Sequence, residues 1–589
     1  MNKFVCVFLQ STVNKEVRES LKTALDLDSE GGLNPVSLGS EGEYFAAEAH
    51  ITPRKSLEQH WRLSAFESES IIVIGRGEIR NWFSERQHTP GEFLKRFEAD
   101  YRDTGVEFLK TLRGQFSFVL FDKTIRKLYA FRDPVGYFPL HFTKIEGGIA
   151  VSSHFKPLKK IAGRTPELSP LGLVLFMQFG FIPAPHTIFK EIFKLLPGEY
   201  LSVDHEFSIQ KYRYWRTPAY EPQEKNLDTF ADEARSLLPQ AVSDHLNGED
   251  SAAVFLSGGL DSTVIAGLLK PLIGENLRTF TFGVDVEHPR VDFLRDLPYA
   301  RICAEALDIH FKTCALDNSF DITSLIENVV KNADYLALSP NVITKSFLAQ
   351  QAKAAGMPSI FTGSAGMIGF GAFSLGVLRK KMDFNAPPAE MFYQFRARFL
   401  SLTDIHQLVP DSQSISKADI IAAISGYFNE IPGEDSVEIM EKGHNLMMLS
   451  EKTIPVHRLA GEYAGIPFKI PLYDDRLWEF GASIPRLKKS VDGGMGIKPV
   501  MCGAFKNLLP EATLKRKKVG YPSYYWNQGE LASLESRIFS EDALRKTPFL
   551  DRKALKEIIE NEKLTNRKST GKKNWGLSIF LLWYLQNVK

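Results

Sequence analysis

The first 210 residues place apolar positions in short runs at Phe4–Leu9, Ile71–Ile74, Gln115–Asp122, Lys127–Arg132 and Gly148–Ser152. Runs of this length, bounded by turn residues such as Asp133–Gly136 and Gly147–Gly148, predict β-strands. Helices are expected near Gly91–Tyr101 and Ser169–Phe179. Arg216–Glu224, with Pro218 and Pro222 among polar residues, reads as a linker. From residue 225 the period changes. Leu227–Leu246 spaces its apolar residues by three and four, as a helix does. Ala252–Leu256 is wholly apolar, as a strand buried on both faces of a parallel sheet must be. A helix over Ser262–Lys270, a strand over Arg278–Val284, a helix over Pro298–Leu307 and a strand over His310–Ala315 follow. Lys345–Ala355 then predicts a helix and Ser359–Thr362 a strand. Strand alternating with helix means βαβ units and a parallel sheet, and the stretch from about 385 to 589 reads as mainly helical.

The junction between Ala252–Leu256 and the next helix is Ser257-Gly258-Gly259-Leu260-Asp261-Ser262. Two glycines let the backbone turn sharply and approach a ligand. Amides at the helix start, with the helix dipole, attract an anion, and Ser257 and Ser262 add hydroxyl donors. Asp261 would repel a bare phosphate, so its presence calls for a cation between the two, most simply Mg²⁺. The bland alternative is a turn in which Asp261 or Ser262 merely caps the helix. The loop is not a Walker A sequence, because no Gly-Lys-Ser/Thr follows it.

Charge and cysteine content narrow the field. A formal net charge of +1 gives no pull toward nucleic acid or an anionic membrane. Four scattered cysteines, Cys6, Cys303, Cys314 and Cys502, make no disulfide framework and suit a reducing, cytoplasmic setting. The longest apolar stretch, Leu171–Ile182, falls short of the about 20 residues that a bilayer span needs.

The Ser257–Ser262 loop resembles the pyrophosphate-binding loop of ATP pyrophosphatases. The resemblance widens to the asparagine synthetase family over nearly the whole chain. Trp61–Ser64, Gly77–Asn81, Leu112–Phe118, Ala130–Leu140, Thr187–Ile192, Leu196–Gly198 and Tyr214–Trp215 look like that family's class II glutaminase domain. Pro471–Arg476 and Trp575–Tyr584 look like late landmarks of its synthetase domain. The resemblance implies a two-domain α+β and α/β fold. An Ntn-type domain of layered β-sheets with helices would occupy residues 1–215 and a linker 216–226. A doubly wound parallel sheet with added helices would occupy 227–589. It also implies ATP and Mg²⁺ as cofactors and release of AMP and pyrophosphate. Leu256, Ser257, Gly258, Gly259, Leu260, Asp261, Ser262, Phe282, Gly283, Thr362 and Gly363 would line the nucleotide, with Asp261 as metal ligand. Lys518, in Lys515–Tyr521, would be the cation over the charge developing at the adenylate or pyrophosphate. Glu451 and Glu462, beside His457, would be candidate bases for the amine, though each read singly is an ordinary helix residue.

Two departures bear on activity. The family's glutaminase nucleophile is a cysteine at residue 2, where this chain has Asn2. The nearest thiol, Cys6, lies inside an apolar strand, and the family's Asn-Gly-Glu reads Arg76-Gly77-Glu78. Glutamine hydrolysis is therefore not expected, although Arg62 is kept. In the second half, the loop Thr362–Gly371 carries Met367 and Ile368 where the family has adjacent acids, and Ser364 at its upstream catalytic position. Asp285 or Asp334 could stand in for the lost acids. Three outcomes stay open: an amide ligase of lasso-peptide-cyclase-like or asparagine-synthetase-like type, an ammonia-dependent asparagine synthetase, and a degenerate non-catalytic scaffold. The expected partners are a small-molecule or peptide carboxylate, with a precursor peptide and companion maturation proteins in the cyclase case. A homodimer is also open, and neither nucleic acid nor membrane is expected.

Overall fold

The computed structural model describes residues 3–26, 34–39, 43–51, 65–79, 90–161, 166–219, 223–284, 296–316, 320–336, 339–371, 373, 378–489, 498–516, 528–565 and 572–588. The chain divides into two compact units, Met1–Leu173 with Ile182–Arg216, and Val174–Phe181 with Thr217–Lys589.

The first unit holds two antiparallel six-stranded sheets. One runs in the order Phe193–Lys194, His141–Ile145, Gly148–Ser152, Lys3–Leu9, Phe45–Ile51, Asn34–Leu38, and the other Ile209–Arg213, Glu199–Val203, Lys127–Arg132, Gly114–Asp122, Ile71–Ile79, Ala65–Glu67. Alternation along each strand explains the layering. Phe4, Cys6 and Phe8 share one buried cluster with Ile72, Ile74, Val119, Phe121 and Leu201 of the second sheet. Ile71, Val73, Phe118 and Phe131 point the other way, onto Phe97 and Tyr101 of the helix Pro90–Thr104. The predicted strand Ile71–Ile74 runs on to Ile79 because Gly75 and Gly77 serve close backbone approach. A Cβ on Gly77, where φ is +101°, would lie 2.0 Å from the Gln115 carbonyl oxygen.

The second unit is built on five parallel strands: Ala252–Phe255 (β1), Leu277–Val284 (β2), His310–Leu316 (β3), Ile360–Thr362 (β4) and Phe468–Lys469 (β5). Their order is β3-β2-β1-β4-β5. Strand order reverses between β1 and β4, and ligands of open α/β sheets bind outside the carboxyl ends of the strands at such a point. Helix Leu260–Ile273 (α1) packs Val264, Ile265 and Leu269 into the core of one face. Toward the other face lies helix Asn341–Ala354 (α2), whose Phe347 meets Phe282 of β2 edge-on at 6.2 Å. The predicted helix Ser169–Phe179 forms over Pro170–Phe179, and its apolar residues from Leu173 onward are buried, with Phe176 against Phe580 and Phe179 against Phe392. Among the described residues no helix is long and apolar enough to cross a membrane.

Candidate active site

The loop after β1 is tighter than its glycine content alone required. Gly258 sits at φ +67°, and a Cβ there would lie 2.4 Å from the Tyr299 carbonyl carbon, so only glycine fits. Helix α1 begins at Leu260, two residues before the expected Ser262, with Gly259 at its N-cap and no side chain capping it. Ser257 and Ser262 hold the loop shut from inside. Their hydroxyls lie 3.1 Å apart, the Ser257 amide donates to Ser262 Oγ at 3.3 Å, and Ser262 donates to the Gly259 carbonyl at 3.1 Å.

The loop after β4 closes on the same place. A Cβ on Gly363 would lie 2.4 Å from the Ser262 amide nitrogen, and one on Gly366 would lie 2.6 Å from Asp261 Oδ1. The structure therefore brings Ser257–Ser262 together with Thr362 and Gly363. Leu256, Phe282 and Gly283 lie at the carboxyl ends of the neighbouring strands β1 and β2. Asp261 does not stand alone: Lys498 Nζ donates to its Oδ1 at 2.5 Å, and the lysine is only 3% exposed. Arg516 grips the loop from outside. It donates to the Ser257 carbonyl at 2.7 Å, pairs with Asp296 and lies 4.5 Å over the Tyr299 ring.

The sequence missed both cations. Arg516 lies two residues before Lys518, which itself falls outside the described residues, as do Asn2, Arg62 and Asp285. Lys498 carries no local signal beyond standing just before Pro499 and a helix. Among the described residues, no group of three or more His, Cys, Asp or Glu side chains is placed to hold a metal. Asp261 offers one carboxylate, which suits Mg²⁺ only when nucleotide phosphates and water complete its shell.

The candidate bases part company. Glu451 is buried in a π-helical turn, Leu449–Thr453, where Tyr427 donates to it at 2.7 Å. Glu462 stands 3.8 Å from Arg458. Asp334 is buried as well. It is His457 that reaches the β4 loop. Its Nδ1 lies 2.8 Å from the Thr453 carbonyl and so carries the proton, which leaves Nε2 to accept from the Ser364 hydroxyl at 3.0 Å. Ser364 in turn contacts Thr362 Oγ1 at 3.1 Å. Burial, with Lys345 nearby, holds His457 well below its ordinary value, so the imidazole stays neutral. Burial also brings the Lys345 amine down to about 8.

In the first unit, Cys6 is fully buried and its thiol lies 3.6 Å from the Val151 carbonyl; burial pushes it far up from its ordinary value. Arg76, 2% exposed, stacks 4.5 Å over Phe138 and contacts His154 Nε2 at 3.3 Å.

Residues 233–585 match the family model described as Asparagine synthase, and residues 94–215 the one described as Glutamine amidotransferase domain. The chain belongs to the asparagine synthase family. Among relatives, it is 22% identical over 575 residues to glutamine-hydrolyzing asparagine synthetase 1 of Bacillus subtilis, covering 89% of this chain and 87% of that one. It is 23% identical over 573 residues to amidase chyE of Penicillium rubens, covering 84% and 83%. As an asparagine synthase family member it is an ATP-dependent carbon–nitrogen ligase. The β4 loop carries Met367 and Ile368, whose side chains offer neither an oxygen ligand for Mg²⁺ nor a proton acceptor.

Proposed function

We propose that this asparagine-synthetase-like ligase adenylates a carboxylate with ATP, releasing pyrophosphate, and joins the acyl group to an amine not taken from glutamine. One observation carries the proposal: a glycine loop and helix start at the strand-order reversal, with a buried Lys498 on Asp261. The amides from Gly258 onward and the start of α1 would hold the polyphosphate. Asp261 would hold Mg²⁺, whose charge offsets that of the phosphates, and Lys498 would then turn from Asp261 to a phosphate oxygen. Lys518 would face the charge that develops as pyrophosphate leaves. The Ser364–His457 pair would orient the incoming groups through hydrogen bonds, since a neutral, buried imidazole is a weak proton acceptor.

The first unit supports an amine source other than glutamine. A buried neutral thiol at Cys6 is a poor nucleophile, and Arg76 puts a guanidinium where the family has an asparagine side chain. An amine within a peptide, as in a lasso-type cyclisation, or free ammonia would serve instead. A second possibility, a nucleotide-binding scaffold without chemistry, draws its support from Met367 and Ile368.

Exchange of labelled pyrophosphate into ATP tests the proposal, with free amino acids and short acidic peptides as the carboxylate. Wild type is expected to catalyse exchange and Asp261→Ala to lose it. Absence of exchange with every acid, while ATP still binds, favours the scaffold.

A further inference from the structure

A partly open cavity of about 120 Å³ lies in the second unit against the short helix Met367–Phe370. Its apolar wall is Met367, Ile368, Phe373, Trp478 and Ala482. The two residues that cannot serve a metal are thus wall residues of a neighbouring compartment. The partition is thin: a Cβ on Gly371, which also lines the cavity, would lie 2.9 Å from Met367 Sδ and 3.6 Å from Lys498 Cε.

The remaining wall is charged, and its charges are ordered by depth. Glu441, 8% exposed, accepts from the Phe373 amide at 3.0 Å and lies 2.8 Å from Arg486. Glu438 pairs with Lys442 at 2.7 Å, both side chains about one-seventh exposed. Lys489 completes this half-buried ring, so three cations stand against two carboxylates. Burial first, then Lys442 and Arg486, pull the Lys489 amine down to about 8, with Glu441 and Glu438 opposing. At the mouth the sign reverses, since Glu434 and Asp435 are both exposed. An anion suits the interior, a cation the rim, and an apolar group the floor.

We propose that this cavity is a binding site for a free α-amino acid with an apolar side chain. Its carboxylate meets Arg486 and Lys489, its ammonium faces Glu434 and Asp435, and its side chain lies on Met367, Ile368 and Trp478. An acidic residue at 367 or 368 would have made this floor hostile to such a side chain. The site uses residues separate from those assigned to the nucleotide, and so goes beyond the adenylation proposal.

Isothermal titration of the full chain with L-leucine tests it, alongside isovalerate, which lacks the amine, and isoamylamine, which lacks the carboxylate. L-leucine is expected to bind saturably, and each half-ligand at least tenfold more weakly. Above pH 8 the affinity is expected to fall as Lys489 loses its proton. Lys489→Met is expected to weaken binding tenfold or more. Because Arg486→Gln would strand Glu441 and risk the fold, the second variant is Ala482→Leu, which fills the cavity and leaves every charge in place. It is expected to abolish leucine binding while ATP binding persists. No saturable binding, isoamylamine binding as tightly as leucine, or unchanged affinity in both variants each overturns the proposal. Loss of pyrophosphate exchange with leucine binding intact would fault the adenylation proposal alone.

Discussion

The contact between the β4 loop and Asp261 can be tested with a single methyl group. Gly366 has φ −60°, so alanine suits its backbone. The conformational term should even favour the substitution by about 0.4–1 kcal/mol. Sterics oppose it: the new Cβ would stand 2.4 Å from Lys498 Nζ and 2.6 Å from Asp261 Oδ1. Ordinary contact needs roughly 3.4 Å or more, so the ammonium must retreat by about 1 Å. The ion pair is 2.5 Å long. At an effective dielectric constant of about 20, stretching it to roughly 3.5 Å forfeits ~2 kcal/mol. Asp261 is one-quarter exposed, and solvent screening brings this to roughly 1–1.5 kcal/mol. The net expectation for Gly366→Ala is a loss of about 0–1 kcal/mol in urea unfolding and a drop of a few-fold in pyrophosphate exchange. A cycle isolates the cause: with Lys498→Met in place, adding Gly366→Ala should cost clearly less, because the methyl group meets no ammonium and only the contact with Asp261 remains. Equal cost in both backgrounds would refute the wedge. A stabilised, fully active Gly366→Ala would refute the close pairing itself.

Three further outcomes are expected. Asp133 is fully buried, and burial raises its carboxyl from 3.8 to about 6 against amide donors at Tyr137 and Phe138 and the charge of Arg132. Its protonated form is favoured by folding, so its contribution is full below pH 4 and lost as pH rises to 6, about 3 kcal/mol in all. The difference in unfolding free energy between wild type and Asp133→Asn should therefore change across pH 4–6 and be flat above; a difference flat throughout counts against the shift. Arg516→Lys keeps the charge but loses the planar contact with Tyr299 and the reach to both Ser257 and Asp296. It should raise the KM for ATP severalfold, and an unchanged KM would show that the grip on Ser257 is dispensable. Native protein incubated with glutamine should release no glutamate, and iodoacetamide should label Cys6 only at the rate of global unfolding; rapid native labelling would contradict a buried, neutral thiol.

The legible parts of this molecule are those written in adjacent residues. Leu227–Leu246 and Lys127–Arg132 form over the ranges that their periodicity marks. The glycine loop announces itself in six consecutive residues. Strand Phe45–Ile51 escapes notice because its alanines and Glu48 have little strand preference; it exists by pairing with Lys3–Leu9 and Asn34–Leu38. Glycines at 75 and 77 mimic a strand end while serving close approach of Gln115–Phe118.

The site shows the same limit more sharply. Lys498 reaches Asp261 across 237 positions and Arg516 reaches Ser257 across 259, distances over which no local pattern speaks. Transfer of roles position by position also misleads where two faces of one short segment serve different spaces. Gly366 faces Asp261, yet the next two residues, Met367 and Ile368, line a cavity with Glu441 and Arg486. Judged against a list of catalytic acids, those two side chains look like decay. Judged by what surrounds them, they are the apolar floor of a compartment whose walls carry Arg486, Lys442 and Lys489 beside Glu441 and Glu438. Burying Glu441 and Arg486 together costs several kcal/mol of desolvation that packing alone would not require, since apolar residues of similar volume hold such a space at least as well. A charged ring kept beside an apolar floor therefore argues for a ligand that needs both.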